Sequence, residues 1–88
     1  MRDLSEIRKD IDEIDNELIG LFYRRMDCAR EIGEYKKERG LPIFNAEREA
    51  EILDRVQDNG GEYGIYARQL FSKIMELSRE LQRESTDG

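Results

Sequence analysis

The chain has 88 residues, a formal charge of −6 and no histidine. Its length allows one small domain, with a hydrophobic core that is more stable in an oligomer than alone. The acidic balance argues against nucleic acid or an anionic membrane as the main partner, and without histidine hydrolytic triads and zinc sites are poor hypotheses. With 41% charged residues, one proline and no tryptophan, the composition favours an all-α protein over a sheet protein.

The single cysteine and the lack of a long apolar run bear on location. Cys28 has no second cysteine with which to form a disulfide in the chain, and its place in the helical pattern below predicts a small buried core residue. No apolar run is long enough to span a bilayer, and the first residues do not follow a signal-peptide pattern. We therefore expect a cytoplasmic protein without a membrane partner.

The strongest pattern predicts a first helix over about residues 4–39. Apolar and near-apolar residues recur there at steps of three and four, as in an amphipathic helix: Leu4, Ile7, Ile11, Ile14, Leu18, Leu21, Cys28, Ile32 and Tyr35. Where the next member of the row would fall, the chain carries Arg25, and Lys36 follows eleven residues later on the same face. A cation in an apolar row is costly unless something negative meets it there.

This first helix is too long for a compact chain of this size. At about 1.5 Å per residue it would be roughly 50 Å long. A compact domain of the same length has a diameter of about 30 Å. We therefore expect a partner chain to cover the rest of the helix.

A break after the first helix leads into a second helix over about residues 46–58. Gly40 is expected to adopt the left-handed conformation that ends a helix, and Pro42 cannot extend one. Asn45 is the predicted N-cap of the second helix. The residues between these signals should form an extended connector.

A third helix is predicted over about residues 63–83. Two polar residues, Ser78 and Gln82, occupy positions of its apolar pattern, and because they lie four residues apart they face the same way. Gln82 on its own would equally fit a surface position.

The residues out of place in these patterns would together bind an anion, although each also has a purely structural interpretation. The cations of this set are Arg25, Lys36 and Arg48. Lys36 would otherwise be a solvated helix residue, and Arg48 would form an ion pair within its helix. A buried Arg25 would pair with an acid such as Glu17 or Asp15.

An ordered set of positions runs through nearly the whole chain, from about Leu4 to Gln82. Its members are Ile7, Arg8, Ile11, Ile14, Asp15, Leu18, Leu21, Arg25, Gly33, Lys36, Asn45, Arg48, Glu49, Leu70, Phe71, Ile74, Ser78 and Gln82. In this order and spacing the set resembles the all-helical class of chorismate mutases. The resemblance implies three helices per chain, an intertwined antiparallel homodimer, and the intramolecular rearrangement of chorismate to prephenate in phenylalanine and tyrosine biosynthesis, without a cofactor or metal.

The resemblance also implies roles for the residues nearest the reacting bonds. Arg25 and the partner subunit's Arg8 would bind the two carboxylates of the substrate. Lys36 would contact the ether oxygen whose bond breaks, with Gln82 as the second donor to that oxygen.

Four further positions would surround the substrate by the same resemblance. Arg48 would lie near it, Glu49 would hold its ring hydroxyl, and Ser78 would contact a carboxylate. Asn45 stands where this family often has Asp, and both residues cap a helix.

The chemistry suits the composition independently of the resemblance. A pericyclic rearrangement moves no proton and needs no nucleophile, so a site without histidine or a catalytic cysteine lacks nothing. It needs a flexible dianion held in its compact shape, and donors where negative charge develops on the ether oxygen. Arginine supplies planar bidentate clamps and lysine a point donor.

Two other functions compete with this interpretation. Isochorismate-pyruvate lyases resemble the same helical fold, but Glu49 and Ser78 favour the mutase. A non-catalytic dimerisation or regulatory module of a larger enzyme is the second, and the embedded Arg25 argues against it because apolar residues would stabilise such a module more. The sequence alone also leaves open that the chain is the mutase part of a bifunctional enzyme.

Overall fold

The computed structural model describes residues 1–87, with the side chains of residues 1–84. It contains three α-helices, α1 (Leu4–Arg39), α2 (Ala46–Asn59) and α3 (Gly64–Asp87), and a 3₁₀ turn over Gly61–Tyr63 joins α2 to α3. The described residues include no strand. The prediction of an all-α chain with three helices and a long first helix is confirmed.

Both ends of α1 follow from local chemistry. The Asp3 side chain accepts a hydrogen bond from the Glu6 backbone N–H at 2.9 Å, which satisfies a donor that the first turn leaves open. At the other end Gly40 has φ of 65° and donates its N–H to the carbonyls of Lys36 and Lys37. Such a left-handed residue suits glycine, and it turns the chain back toward α1.

The carboxyl-terminal half of α1 packs against α3, and the two helices run parallel. Arg25 contacts Ser78, while further along both helices Gly33 lies against Gln82. Ala29 is 5% exposed and Gly33 is also buried. Small residues on this side of α1 let the backbones approach closely.

The predicted burial of Cys28 is wrong for the single chain, since the residue is exposed. The side of α1 that faces α3 passes through Ala29 and Gly33, one position beyond Cys28 and Ile32 in each turn. A step of one residue rotates the side chain by about 100°, so Cys28 and Ile32 lie at the edge of this contact.

The second helix runs antiparallel to α3 and packs along it. Glu49, near the start of α2, pairs with Arg79, whereas Asp54, further along α2, pairs with Arg68, earlier in α3. Ile52 is the buried residue of α2, with 7% of its surface exposed.

The whole chain is elongated because α1 extends far beyond the other two helices. The radius of gyration is 16.3 Å and the principal extents are 56 × 27 × 13 Å, against a radius near 12 Å for a compact chain of this length. Large apolar side chains of the first half of α1 are exposed: Leu4, Ile7, Ile11, Ile14, Leu18, Ile19 and Leu21. Among the described residues, no helix has both the length and the apolarity to cross a membrane.

Candidate active site

A cleft of about 350 Å³ lies where the second half of α1, the start of α2 and the second half of α3 meet. All the predicted site residues except Arg8 line it. The complete lining is Arg25, Cys28, Ala29, Ile32, Lys36, Ile43, Asn45, Arg48, Glu49, Ile52, Met75, Ser78, Arg79 and Gln82. The cleft thus collects residues from three helices and the connector.

Arg25 enters the cleft from α1 and is held by α3. Its Nη1 donates to the Ser78 hydroxyl oxygen at 3.2 Å, and that hydroxyl donates to the Ile74 carbonyl at 2.9 Å. The guanidinium carbon also lies 5.9 Å from the centre of the Phe71 ring. Because an arginine has five N–H donors, most of its donors remain for a ligand.

Arg25 has no counter-ion in the described part of the chain. Neither Glu17 nor Asp15, the two acids that a structural role would use, forms an ion pair with it. The half-buried guanidinium therefore contributes an uncompensated positive charge to the cleft.

Lys36 reaches the cleft from the last turn of α1. The reversal at Gly40 brings the connector beside this turn, and Lys36 Nζ donates to the Ile43 carbonyl at 2.7 Å. The side chain is half-buried rather than solvated. Two of the three ammonium donors make no hydrogen bond to a described residue.

Gln82 is buried, with 6% of its surface exposed, so the surface interpretation of this residue is wrong. Its Oε1 is a buried acceptor without a partner among the described residues, which costs about 1–3 kcal/mol when nothing compensates it. Buried polar groups are nearly always paired. Because this acceptor lines a cleft, water or a ligand in the cleft can satisfy it.

Gly33 determines how closely Gln82 approaches α1. A Cβ atom at this position would lie 3.1 Å from Gln82 Cγ and 3.2 Å from Gln82 Cα. Contacts this short would require Gln82 to shift by a few tenths of an ångström. The glycine in the middle of α1 therefore positions the Gln82 amide.

The start of α2 forms the opposite wall of the cleft. Asn45 caps the helix by accepting from the Arg48 backbone N–H at 3.0 Å, as predicted. The Arg48 guanidinium pairs with Glu51 at 2.6 Å, one turn further along. The predicted intrahelical ion pair is therefore present, and Arg48 lines the cleft as well.

Glu49 pairs with Arg79 across the interface of α2 and α3. Arg79 is not among the site residues predicted from the sequence. Its spacing could have indicated this position. Arg79 lies four residues after Met75 and three before Gln82, so it shares a side of α3 with both. Its ion-pair partner, thirty residues away, was not visible in the local pattern.

The lining of the cleft is strongly cationic. It contains four cations, Arg25, Lys36, Arg48 and Arg79, and one carboxylate, Glu49, for a formal sum of +3 in a chain whose total is −6. The described residues contain no group of acids, cysteines or histidines that would hold a metal ion. Such a lining suits a small organic anion with two negative groups.

Arg8 lies apart from this cleft. It lines a shallow depression near the start of α1 with Leu4, Ser5, Lys9 and Asp12. Arg8 and Arg25 are seventeen residues apart on one helix, which is about 25 Å along its axis. Within one chain they cannot bind the same small molecule.

Three helices thus form a small all-α protein around a cationic cleft that suits an organic anion. The family model for chorismate mutase type II matches residues 7–83, and the chain belongs to this family. Its activity is accordingly that of an isomerase, a chorismate mutase. The resemblance inferred from the ordered positions is thereby confirmed.

Similar proteins support the assignment to this family. The chain is 36% identical over 84 residues to a chorismate mutase of Methanocaldococcus jannaschii, covering 92% of this chain and 85% of that protein. It is 35% identical over 85 residues to a T-protein of Haemophilus influenzae, covering 97% of this chain but 22% of the T-protein. The chain thus spans most of the first relative and about a fifth of the second.

A solved structure supports the fold. The chain matches a conserved hypothetical protein from Pyrococcus furiosus with a TM-score of 0.72 and 40% sequence identity. The match covers 90% of this chain and 93% of the other.

Proposed function

We propose that the cleft binds chorismate in its compact, reactive conformation and stabilises the charge that develops on the ether oxygen during rearrangement to prephenate. The observation that carries this proposal is the lining itself. A cluster of cations and a buried glutamine whose amide N–H₂ makes no hydrogen bond to a described residue line one cleft of an otherwise acidic chain. Such an arrangement stabilises a dianion and a developing negative charge without acid, base or nucleophile.

The ether oxygen lies between Lys36 and Gln82 in this proposal. Lys36 has donors beyond the one that it gives to Ile43. The Gln82 Nε2 makes no hydrogen bond to a described residue, so it is available to donate. A charged and a neutral donor on one oxygen would lower the energy of the transition state more than that of the substrate.

The substrate carboxylates bind to arginine. Arg25 would clamp one of them, since its guanidinium is only singly engaged by Ser78 and arginine binds carboxylates bidentately. Ser78 would lie against the same carboxylate. Arg48 lines the far wall and would contact the substrate after giving up or sharing its exposed pair with Glu51.

The ring hydroxyl of the substrate would donate to Glu49. One oxygen of this carboxylate, Oε1, is bound by Arg79, and the other makes no hydrogen bond to a described residue. Asn45 uses its Oδ1 as the helix cap, which leaves its amide N–H₂ as a possible further contact.

The second carboxylate requires an arginine from another copy of the chain. The partner subunit's Arg8 is proposed to fill this role in an intertwined antiparallel homodimer. Two features support it: the uncovered apolar row on the first half of α1, and the separation of about 25 Å between Arg8 and Arg25 in one chain. An antiparallel second copy would cover the row and carry its own Arg8 to the cleft.

Incubation of the purified protein with chorismate tests the function. We expect the absorbance of chorismate to disappear and prephenate to be the product, at a rate proportional to enzyme and without added metal or cofactor. Release of pyruvate from isochorismate, with no prephenate from chorismate, would instead identify a lyase. No turnover of either compound by a folded protein would refute the proposal.

A further inference from the structure

We propose that Arg79 makes the cleft selective for a neutral hydroxyl, rather than an ammonium group, at the ring position that faces Glu49. This inference rests on the proposed function, in which Glu49 receives the ring hydroxyl of chorismate. Arg79 would act through Glu49, and it is therefore a positioning residue.

Two contacts hold the Arg79 guanidinium in place. Its Nη1 donates to Glu49 Oε1, and its Cζ lies 5.3 Å from the centre of the Phe44 ring. The Arg79 and Glu49 side chains are 23% and 20% exposed. The pair is thus mostly shielded from water, where screening is weaker than at a surface.

The ion pair changes what Glu49 offers to a ligand. Glu49 is the one carboxylate in the lining of the cleft. Unpaired, it would repel a dianionic substrate and attract a cation. Paired with Arg79, its formal charge is cancelled, while Oε2 stays open to accept a hydrogen bond from a neutral hydroxyl.

Two other roles for Arg79 are less consistent with the structure. As a clamp for a substrate carboxylate, Arg79 would offer a charge that Glu49 already offsets, whereas Arg25 has no carboxylate partner among the described residues. If Arg79 only stabilised the packing of α2 on α3, it would repeat the role of Arg68. Arg68 donates to Asp54 at 3.1 Å and to Gln57 at 3.0 Å across the same two helices.

Arg68 provides the control, because it also pairs with an acid of α2, at a more exposed position, and does not line the cleft. We would measure kcat/KM for chorismate and for the analogue whose ring hydroxyl is replaced by an amino group. The proteins would be the wild type, Arg79→Met, Arg79→Lys and Arg68→Met. Methionine keeps an unbranched aliphatic side chain next to Phe44 and removes the positive charge of Arg79.

We expect Arg79→Met to shift the ratio of the two kcat/KM values toward the amino analogue by roughly tenfold, because an unpaired carboxylate binds a charged donor more strongly than a neutral one. Arg79→Lys should restore most of the preference for the hydroxyl. Arg68→Met should lower the melting temperature and leave the ratio unchanged. If Arg79→Met does not fold, Arg79→Gln carries the same test.

An unchanged ratio, including an equal loss of kcat/KM with both substrates, would overturn the inference. Arg79 would then be assigned to carboxylate binding or packing. Failure of the wild type to convert chorismate would be a separate result, against the proposed function. In that case the affinities of both compounds for the wild type and Arg79→Met, measured by calorimetry, would still decide the inference by the same ratio.

Discussion

The two halves of α1 carry the same kind of apolar row but have different surroundings. In the second half, residues 22–39, small side chains face α3 and the neighbouring cations line the cleft. In the first half, residues 4–21, the large aliphatic side chains of the row are exposed in the single chain, and Ile14 is 58% exposed. The apolar row of α1 predicts that its side chains are buried, but it does not specify whether they pack against the same chain or a second one.

This difference also divides the proposed site. The second half of α1 contributes Arg25 and Lys36 to the cleft of its own chain. The first half contributes only Arg8, too far away for that cleft. If the two halves belong to two different sites, changes in each half should have different effects on catalysis and on assembly.

The largest effect is expected in the second half, at Lys36. Lys36→Ala should lower kcat by roughly a hundred- to a thousand-fold, because it removes a donor aimed at developing charge, a loss of about 3–4 kcal/mol. Helicity and molecular mass should be unchanged. Lys37→Ala, at the next residue and outside the cleft, is the control. Near-normal turnover by Lys36→Ala would remove this residue from the site.

A change in the first half should act on assembly. Ile14→Lys places a charge in the exposed row, which would cost about 1.5 kcal/mol at each of its two copies in the dimer, about 3 kcal/mol in all, and raise the dissociation constant roughly a hundred-fold. Asn16→Lys adds the same charge on the opposite side of α1. Sedimentation would measure both. Equal masses for the two variants at micromolar concentration would contradict an interface on this row.

Gln82→Glu should make activity depend on pH. An amide donates at any pH, whereas a carboxyl donates only when protonated and repels the dianion when ionised. The introduced carboxyl group is ionised at high pH and becomes protonated as the pH falls. The variant should therefore gain about tenfold in kcat/KM when the pH is lowered from 8 to 5. The wild type should not show this gain. An identical pH profile for both would place Gln82 away from the ether oxygen.

The smallest effect is expected from glycines in α1. Gly33→Ala should reduce kcat a few-fold, because the added Cβ meets Gln82 at 3.1–3.3 Å and displaces its amide. Gly20→Ala is the matched control, since nothing lies within 4 Å of its Cβ. It should stabilise the protein by about 0.5–1 kcal/mol through helix propensity alone. Unchanged kcat in a folded Gly33→Ala would refute the positioning role.

The helices could be predicted from the sequence because their signals are local. Three-four spacing, the left-handed Gly40 and the Asn45 cap each act within a few residues, and all three are present in the structure. Ser78 and Gln82 could be singled out for a similar reason, because polar residues interrupt an apolar row.

Contacts between helices were harder to predict. Gly33 matters because of its distance from Gln82, and Arg79 because of a partner on another helix. Contacts between residues of different helices leave no periodic pattern in the sequence. A charged helix residue such as Arg79 would also be expected to face solvent. The burial of Cys28 was predicted wrongly because one step around the helix separates the apolar row from the side that α3 covers.

The central claim is that each active site is built from two chains, and mixing two inactive variants tests it most directly. Arg8→Ala and Lys36→Ala would be purified separately and combined under conditions that exchange subunits. In a mixed dimer one site carries both defects and the other carries neither, because each site takes Lys36 from one chain and Arg8 from the other.

Random exchange makes about half the dimers mixed, with one intact site each, so activity should recover to roughly a quarter of the wild type. Mass spectrometry of the intact dimers would confirm that exchange has occurred. Confirmed exchange with activity no higher than the mean of the two parent variants would contradict the claim, since Arg8 would then act within its own chain or not at all.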